Sequence, residues 1–180
     1  MSDFKALSRS SFSEIREKQD KNLPDSNIGI TAFINSLPKD LDVEIVSEIG
    51  RCHDLWQELS NPITLFDTWE FRFAFYSAYL YRPHFILLKN QKENLALLPL
   101  WYDQDEKKYE WFGSDWQEEV RFFSKDPKYI PVLLSVAPTP LLLNAISPRS
   151  AFLLSKSVAF EADSAKYVLH LEKFANHEDY

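Results

Sequence analysis

DLWQELSNPITLFDTWEFRFAFYSAYLYRPHFILLKNQKENLALLPLWYDQDEKKYEWFG, residues 54–113, holds most of the aromatic residues of the chain and its clearest periodicity. Around its start, Cys52, Leu55, Trp56 and Leu59 fall at i, i+3, i+4 and i+7, which predicts a short amphipathic helix over Arg51–Leu59. Ser60-Asn61-Pro62 interrupts it. Thr64 with Asp67 three residues on is an Asp variant of the capping box, so a second helix is expected to start there. From Phe66 that helix carries Trp69, Phe73, Tyr76 and Leu80 on one stripe and Phe71, Phe75 and Ala78 on a neighbouring face, until Arg82-Pro83 stops it. Being apolar over more than half its circumference, it is expected to pack on two sides.

After Pro83 the period changes. His84–Lys89 and Leu95–Tyr102 are short runs rich in branched and aromatic residues, joined by the polar Asn90–Asn94, which predicts an antiparallel hairpin. Pro99 has no N–H to give a ladder, so it marks a bulge or an unpaired side of the second strand. Asp103–Lys108 reads as a charged turn and Tyr109–Gly113 as a third strand.

Working outward, Val43–Ile49 alternates like a first strand, and Ile28–Leu37 is a short apolar segment ending at Pro38. Residues 1–40 form a polar arm in which Phe4, Leu7, Phe12 and Ile15 are loosely helical in spacing. The arm is expected to stay disordered, or to fold only against a partner. Downstream, Pro127–Val136 reads as a helix with Pro at its first position, Leu141–Ile146 as a buried strand, Pro148–Val158 as a helix and Tyr167–Leu171 as a last strand. The order of strand, two helices, antiparallel meander, then alternating helix and strand indicates an α/β or α+β domain with a mixed sheet over residues 41–180.

The chain has 180 residues with 45% hydrophobic and 15% aromatic content, enough for one well-cored domain. A formal net charge of −7, with basic residues scattered among acids, argues against a nucleic-acid surface. One cysteine permits no internal disulfide and points to a reducing compartment. No basic start precedes an apolar block and no run is long enough to span a bilayer, so a cytoplasmic protein is expected.

The three glycines, Gly29, Gly50 and Gly113, are too far apart for a phosphate-cradling loop. His53, His84, His170 and His177 lack a metal-ligand spacing, so neither a metal nor a resident cofactor is expected. No Gly-x-Ser-x-Gly elbow is present, and Cys52 belongs to a packed stripe. The loop Gly113-Ser114-Asp115-Trp116-Gln117-Glu118-Glu119 is the most interesting stretch. Its carboxylates, flanked by Trp111 and Trp116, could act as a general base or bind an amine, although the plainer reading is a solvated loop anchored by its aromatics.

The set Leu55-Trp56-x-x-Leu59, Thr64-Leu65-Phe66-x-x-Trp69, Ala96-Leu97-Leu98-Pro99-Leu100 and Trp111-Phe112-Gly113 with its acidic-aromatic loop resembles the GNAT-like acyltransferases. It looks most like the branch with two tandem lobes related to the FemAB peptidyltransferases and the acetyltransferases of bacterial cellulose synthesis. The resemblance runs from about Val43 to the C-terminus. It implies an N-terminal, acceptor-side lobe in which Phe112, Gly113, Asp115 and Trp116 would line the site for a small-molecule or peptide amine. The acyl-coenzyme A co-substrate would sit in a second lobe, so this chain would be incomplete and inactive alone, and no catalytic residue is assigned. A non-catalytic interaction module using the arm or an aromatic surface is the alternative, and a hydrolase using Asp115 with Glu118 or Glu119 is a distant one.

Overall fold

The computed structural model describes residues 40–114, 117 and 119–146. In chain order these form β1 (Asp42–Val46), α1 (Ile49–Leu59), a 3-10 turn (Leu65–Asp67), α2 (Trp69–Tyr79), β2 (Arg82–Lys89), β3 (Asn94–Asp103), β4 (Lys108–Trp111), β5 (Phe123–Ser124), a second 3-10 turn (Pro127–Tyr129) and α3 (Ile130–Ser135). The arm, the Ile28–Leu37 segment, the Pro148–Val158 helix and the Tyr167–Leu171 strand read from the sequence lie outside the described residues.

The strands lie in the order β1-β2-β3-β4, with β5 beside β3. Every ladder among the described residues is antiparallel, so the expected mixed sheet is corrected to an antiparallel one with flanking helices, an α+β architecture. Parallel contact is confined to two single bridges, Tyr109 with Leu141 and Val120 with Ile146. The strand expected over Leu141–Ile146 is therefore absent as a strand. Ala145 takes a positive φ of 53°, which breaks the extended run before a ladder can form.

Side chains of a strand alternate between its two faces. Phe85, Leu87, Leu97 and Trp101 meet α1 and α2, while Ile86, Leu88, Ala96, Leu98 and Leu100 meet Tyr129, Val132 and Leu133 on the other side. Both faces of the hairpin are thus covered, which explains why β2 and β3 read as unbroken apolar runs rather than as an alternation. The Asn90 side chain makes their connection, accepting from the N–H of Lys92 at 2.8 Å and of Glu93 at 2.9 Å. Register slips once, between Leu88 and Lys89.

Pro99 is opposite Phe85 on β2, and its carbonyl accepts from Phe112 N–H at 2.9 Å on the other edge of β3. N–H and C=O of one extended residue face the same edge, so the donor that Pro99 lacks would point toward Phe112, just beyond the β4 ladder to residues 100–103. The Phe112 carbonyl accepts from Arg72 Nη1 at 3.4 Å instead.

The helices begin where acids and hydroxyls cap them. Glu48 accepts from Gly50 and Arg51 N–H, so α1 starts at Ile49, a residue expected in the first strand. The capping box at Thr64 forms, but it caps only a 3-10 turn. Thr68 is extended, with φ −80° and ψ 143°, and its Oγ1 accepts from Phe71 N–H to start α2 afresh.

Candidate functional site

The stretch singled out from the sequence begins at the turn after β4. Phe112 is buried there against the rings of Trp69 at 5.4 Å, Tyr76 at 5.5 Å, Phe85 at 5.1 Å and Trp101 at 5.9 Å. Its ring is the hub that joins α2 to the sheet. Gly113 follows with φ +62°, and a Cβ there would lie 2.5 Å from the Arg72 carbonyl oxygen and 2.8 Å from its Cα. Only glycine admits this close approach of turn and helix.

Arg72 was not singled out in the sequence, although the signal was present: it is a charge on the Trp69–Arg72–Tyr76 face that α2 turns inward. It is 2% exposed. Its Nε donates to the Phe66 carbonyl at 2.7 Å, and Nη1 donates to the carbonyls of Phe112 and Gly113, each at 3.4 Å. Burial pulls its pKa down to about 10, against the opposing charge of Asp67, so the guanidinium stays charged at neutral pH. One cation thereby ties the α1–α2 turn to the turn after β4.

Asp67 is also 2% exposed. Its Oδ2 accepts from the N–H groups of Ile63 and Thr64 and from the Thr64 hydroxyl, at 3.1–3.2 Å, and its carbonyl accepts from Trp56 Nε1 at 3.0 Å. The capping motif thus doubles as the support beneath Arg72.

Beyond Gly113 a small polar cluster secures the loop. Gln117 Nε2 donates to Ser114 Oγ at 2.7 Å and to Asn144 Oδ1 at 3.1 Å, while Trp111 Nε1 donates to the Asn144 carbonyl at 3.0 Å. Glu119 is half-buried and pairs with Arg121 at 3.4 Å. Asp115, Trp116 and Glu118 lie outside the described residues. Of the four residues expected to line the acceptor site, Phe112 and Gly113 are therefore seen as a packed pivot, with no substrate-facing surface of their own.

The remaining reactive groups are occupied structurally. Cys52 is buried, its thiol donates to the Val46 carbonyl at 3.7 Å, and burial pushes its pKa up to about 12. His84 is half-buried with its ring 4.9 Å from that of Tyr109, and burial together with Arg82 lowers its pKa. Among the described residues no His, Cys, Asp or Glu cluster could hold a metal, and no helix is long and apolar enough to cross a membrane.

No protein-family model, curated protein or solved structure shows significant similarity to the chain.

Proposed function

We propose that the chain forms the acceptor-side lobe of a GNAT-like N-acyltransferase, shaping the groove that receives an amine while a second lobe supplies acyl-coenzyme A. What supports this is the order of β1, two helices and an antiparallel meander, with the Phe112–Gly113 turn clamped onto α2 by Arg72. In such a transfer the amine nitrogen attacks the thioester carbonyl, a base takes the amine proton, and the coenzyme leaves as its thiol. This lobe would fix where the amine sits, and the α2 pivot would hold the loop that meets it. The test is differential scanning fluorimetry of the chain with acetyl-coenzyme A and, separately, with a panel of amino sugars and peptide amines. A ligand that binds the folded state raises the melting temperature by mass action. An acceptor lobe responds to an amine and not to acetyl-coenzyme A; a response to neither removes the proposal.

The alternative of an interaction module is favoured by one observation. Ile63 and Leu65, on the α1–α2 connection, are each 64% exposed, more than a small-molecule groove needs. The carboxylate hydrolase has less support, because Glu119 is engaged by Arg121.

A further inference from the structure

The α2 helix turns Trp69, Arg72 and Tyr76 inward, and the described residues leave its opposite face open. Glu70, Ala74 and Ser77 recur at i, i+4 and i+7 along the middle of that face, and all three are exposed. Phe73 and Leu80, seven residues apart, flank them on one side. Phe73 stacks on Trp69 with ring centres 5.5 Å apart, which fixes its position, yet it stays 39% exposed. Leu80 is 68% exposed and joins neither core cluster. It ends the helix at φ 56°, a conformation that glycine adopts at less cost, so packing within the described fold does not account for a leucine there.

We propose that this face of α2 pairs with the same face of a second copy of the chain, the two helices antiparallel about a two-fold axis that passes between Ala74 and Ser77. Such an interface is self-complementary: what residue i of one copy meets in the other, the other meets in return. Side-chain sizes fit that symmetry. Ala74 and Ser77 are small where the helices cross, which lets them approach closely. The two-fold keeps the Phe73–Leu80 flanks of the two copies on the same side, so Phe73 of each copy lies beside Leu80 of the other. The charges fit it as well, and they choose the direction. Glu70 stands at the first turn of α2 and Arg82 just beyond its last, both exposed, and among the described residues neither enters an ion pair. An antiparallel partner brings Glu70 of each copy to Arg82 of the other, whereas a parallel one would set Glu70 against Glu70. The contact needs neither a second lobe nor an acyl donor.

Sedimentation equilibrium of the full chain is the test. The native protein is expected to form dimers. Glu70→Lys or Arg82→Glu alone places like charges together at both ends of the interface and should raise the dimer Kd by about tenfold or more. The double swap, Glu70→Lys with Arg82→Glu, re-forms both pairs with the signs exchanged and should bring the Kd back. Ala74→Arg, which crowds the crossing point, should leave a monomer. All three positions are exposed, and near-ultraviolet circular dichroism from the buried Trp56, Trp101 and Trp111 checks that each variant keeps its fold. A native chain that stays monomeric at millimolar concentration, a dimer indifferent to the single reversals, or a loss that the swap does not repair overturns the proposal. So does a nitroxide on Ser77→Cys that broadens the amides of residues 1–39 or 147–180 within its own chain, because those residues would then occupy the face; Cys52, buried with a raised pKa, stays unlabelled.

Discussion

Gly113 stands against the backbone of Arg72 with no room for a side chain: an added Cβ would come within 2.5 Å of the Arg72 carbonyl oxygen. The obstacle is helix backbone and cannot swing away. Gly113→Ala is therefore expected to destabilise the fold by about 3 kcal/mol, combining the cost of a left-handed alanine with overpacking at a rigid contact. Urea unfolding of the two proteins gives the difference, and a loss under about 1 kcal/mol would mean that the turn and the helix separate easily.

Arg72 holds the carbonyls of Phe66, Phe112 and Gly113 together. Arg72→Met keeps the volume and removes the donors, leaving buried carbonyls unpaired, and is expected to cost on the order of 3 kcal/mol. Arg72→Lys keeps the charge but cannot reach both turns with a planar fork, so it should recover only part of that loss. Full recovery by lysine, read in the same urea titration, would show that charge alone matters at this position.

The two helices, the hairpin and the third strand were legible in the sequence because each is a long periodic or branched run ending at Pro, Asn or a charged turn. Thr64 and Asp67 identified the capping box, but not that Thr68 would stop the turn and begin a new helix, since both hydroxyls suit a cap equally well. Pro99 was legible as a bulge or an unpaired side of its strand, and what the structure shows is a carbonyl that still accepts from Phe112 N–H beside the missing donor. The place of Pro99 between the ladders of β4 and β5 was not legible, since the two residues of β5 are too few to carry a pattern. Of the candidate site, Phe112 and Gly113 were named from the motif that resembles the acyltransferases, and the structure shows how they pack. Their partner Arg72 was passed over because a lone arginine in a helix usually faces water, although it shares the inward face of Trp69 and Tyr76.

His84 gives the fold a pH dependence. Its pKa in the folded state is lowered from the ordinary 6.5, by burial first and then by Arg82. Below 6.5 the unfolded chain takes up the proton before the folded one does, so stability is full above that pH and falls as the pH drops toward the lowered folded value. Melting temperatures at pH 7.5 and 5.5 should therefore differ more in the native protein than in His84→Gln. Glu48 and Asp126, whose pKa values are also lowered, lose their contribution only in the more acidic carboxylate range. An unchanged pH slope in the variant would place the sensitivity elsewhere.

Cys52 should be inert in the folded state. With its pKa pushed from 9.0 to about 12, the thiolate fraction at pH 8 is lower by roughly a thousandfold, before steric protection is counted. Labelling with iodoacetamide, followed by intact mass, should show no adduct on the native protein and one after unfolding in guanidinium. Rapid labelling under native conditions would mean that α1 opens from the sheet.

The acceptor-lobe assignment meets its most direct test in isothermal titration calorimetry of acetyl-coenzyme A into the chain alone. The expected result is no binding heat, while an amine from the fluorimetric panel still titrates. Saturable binding of acetyl-coenzyme A, lost when the diphosphate is removed from the ligand, would contradict it, because the chain would then hold the donor site that the second lobe is proposed to supply.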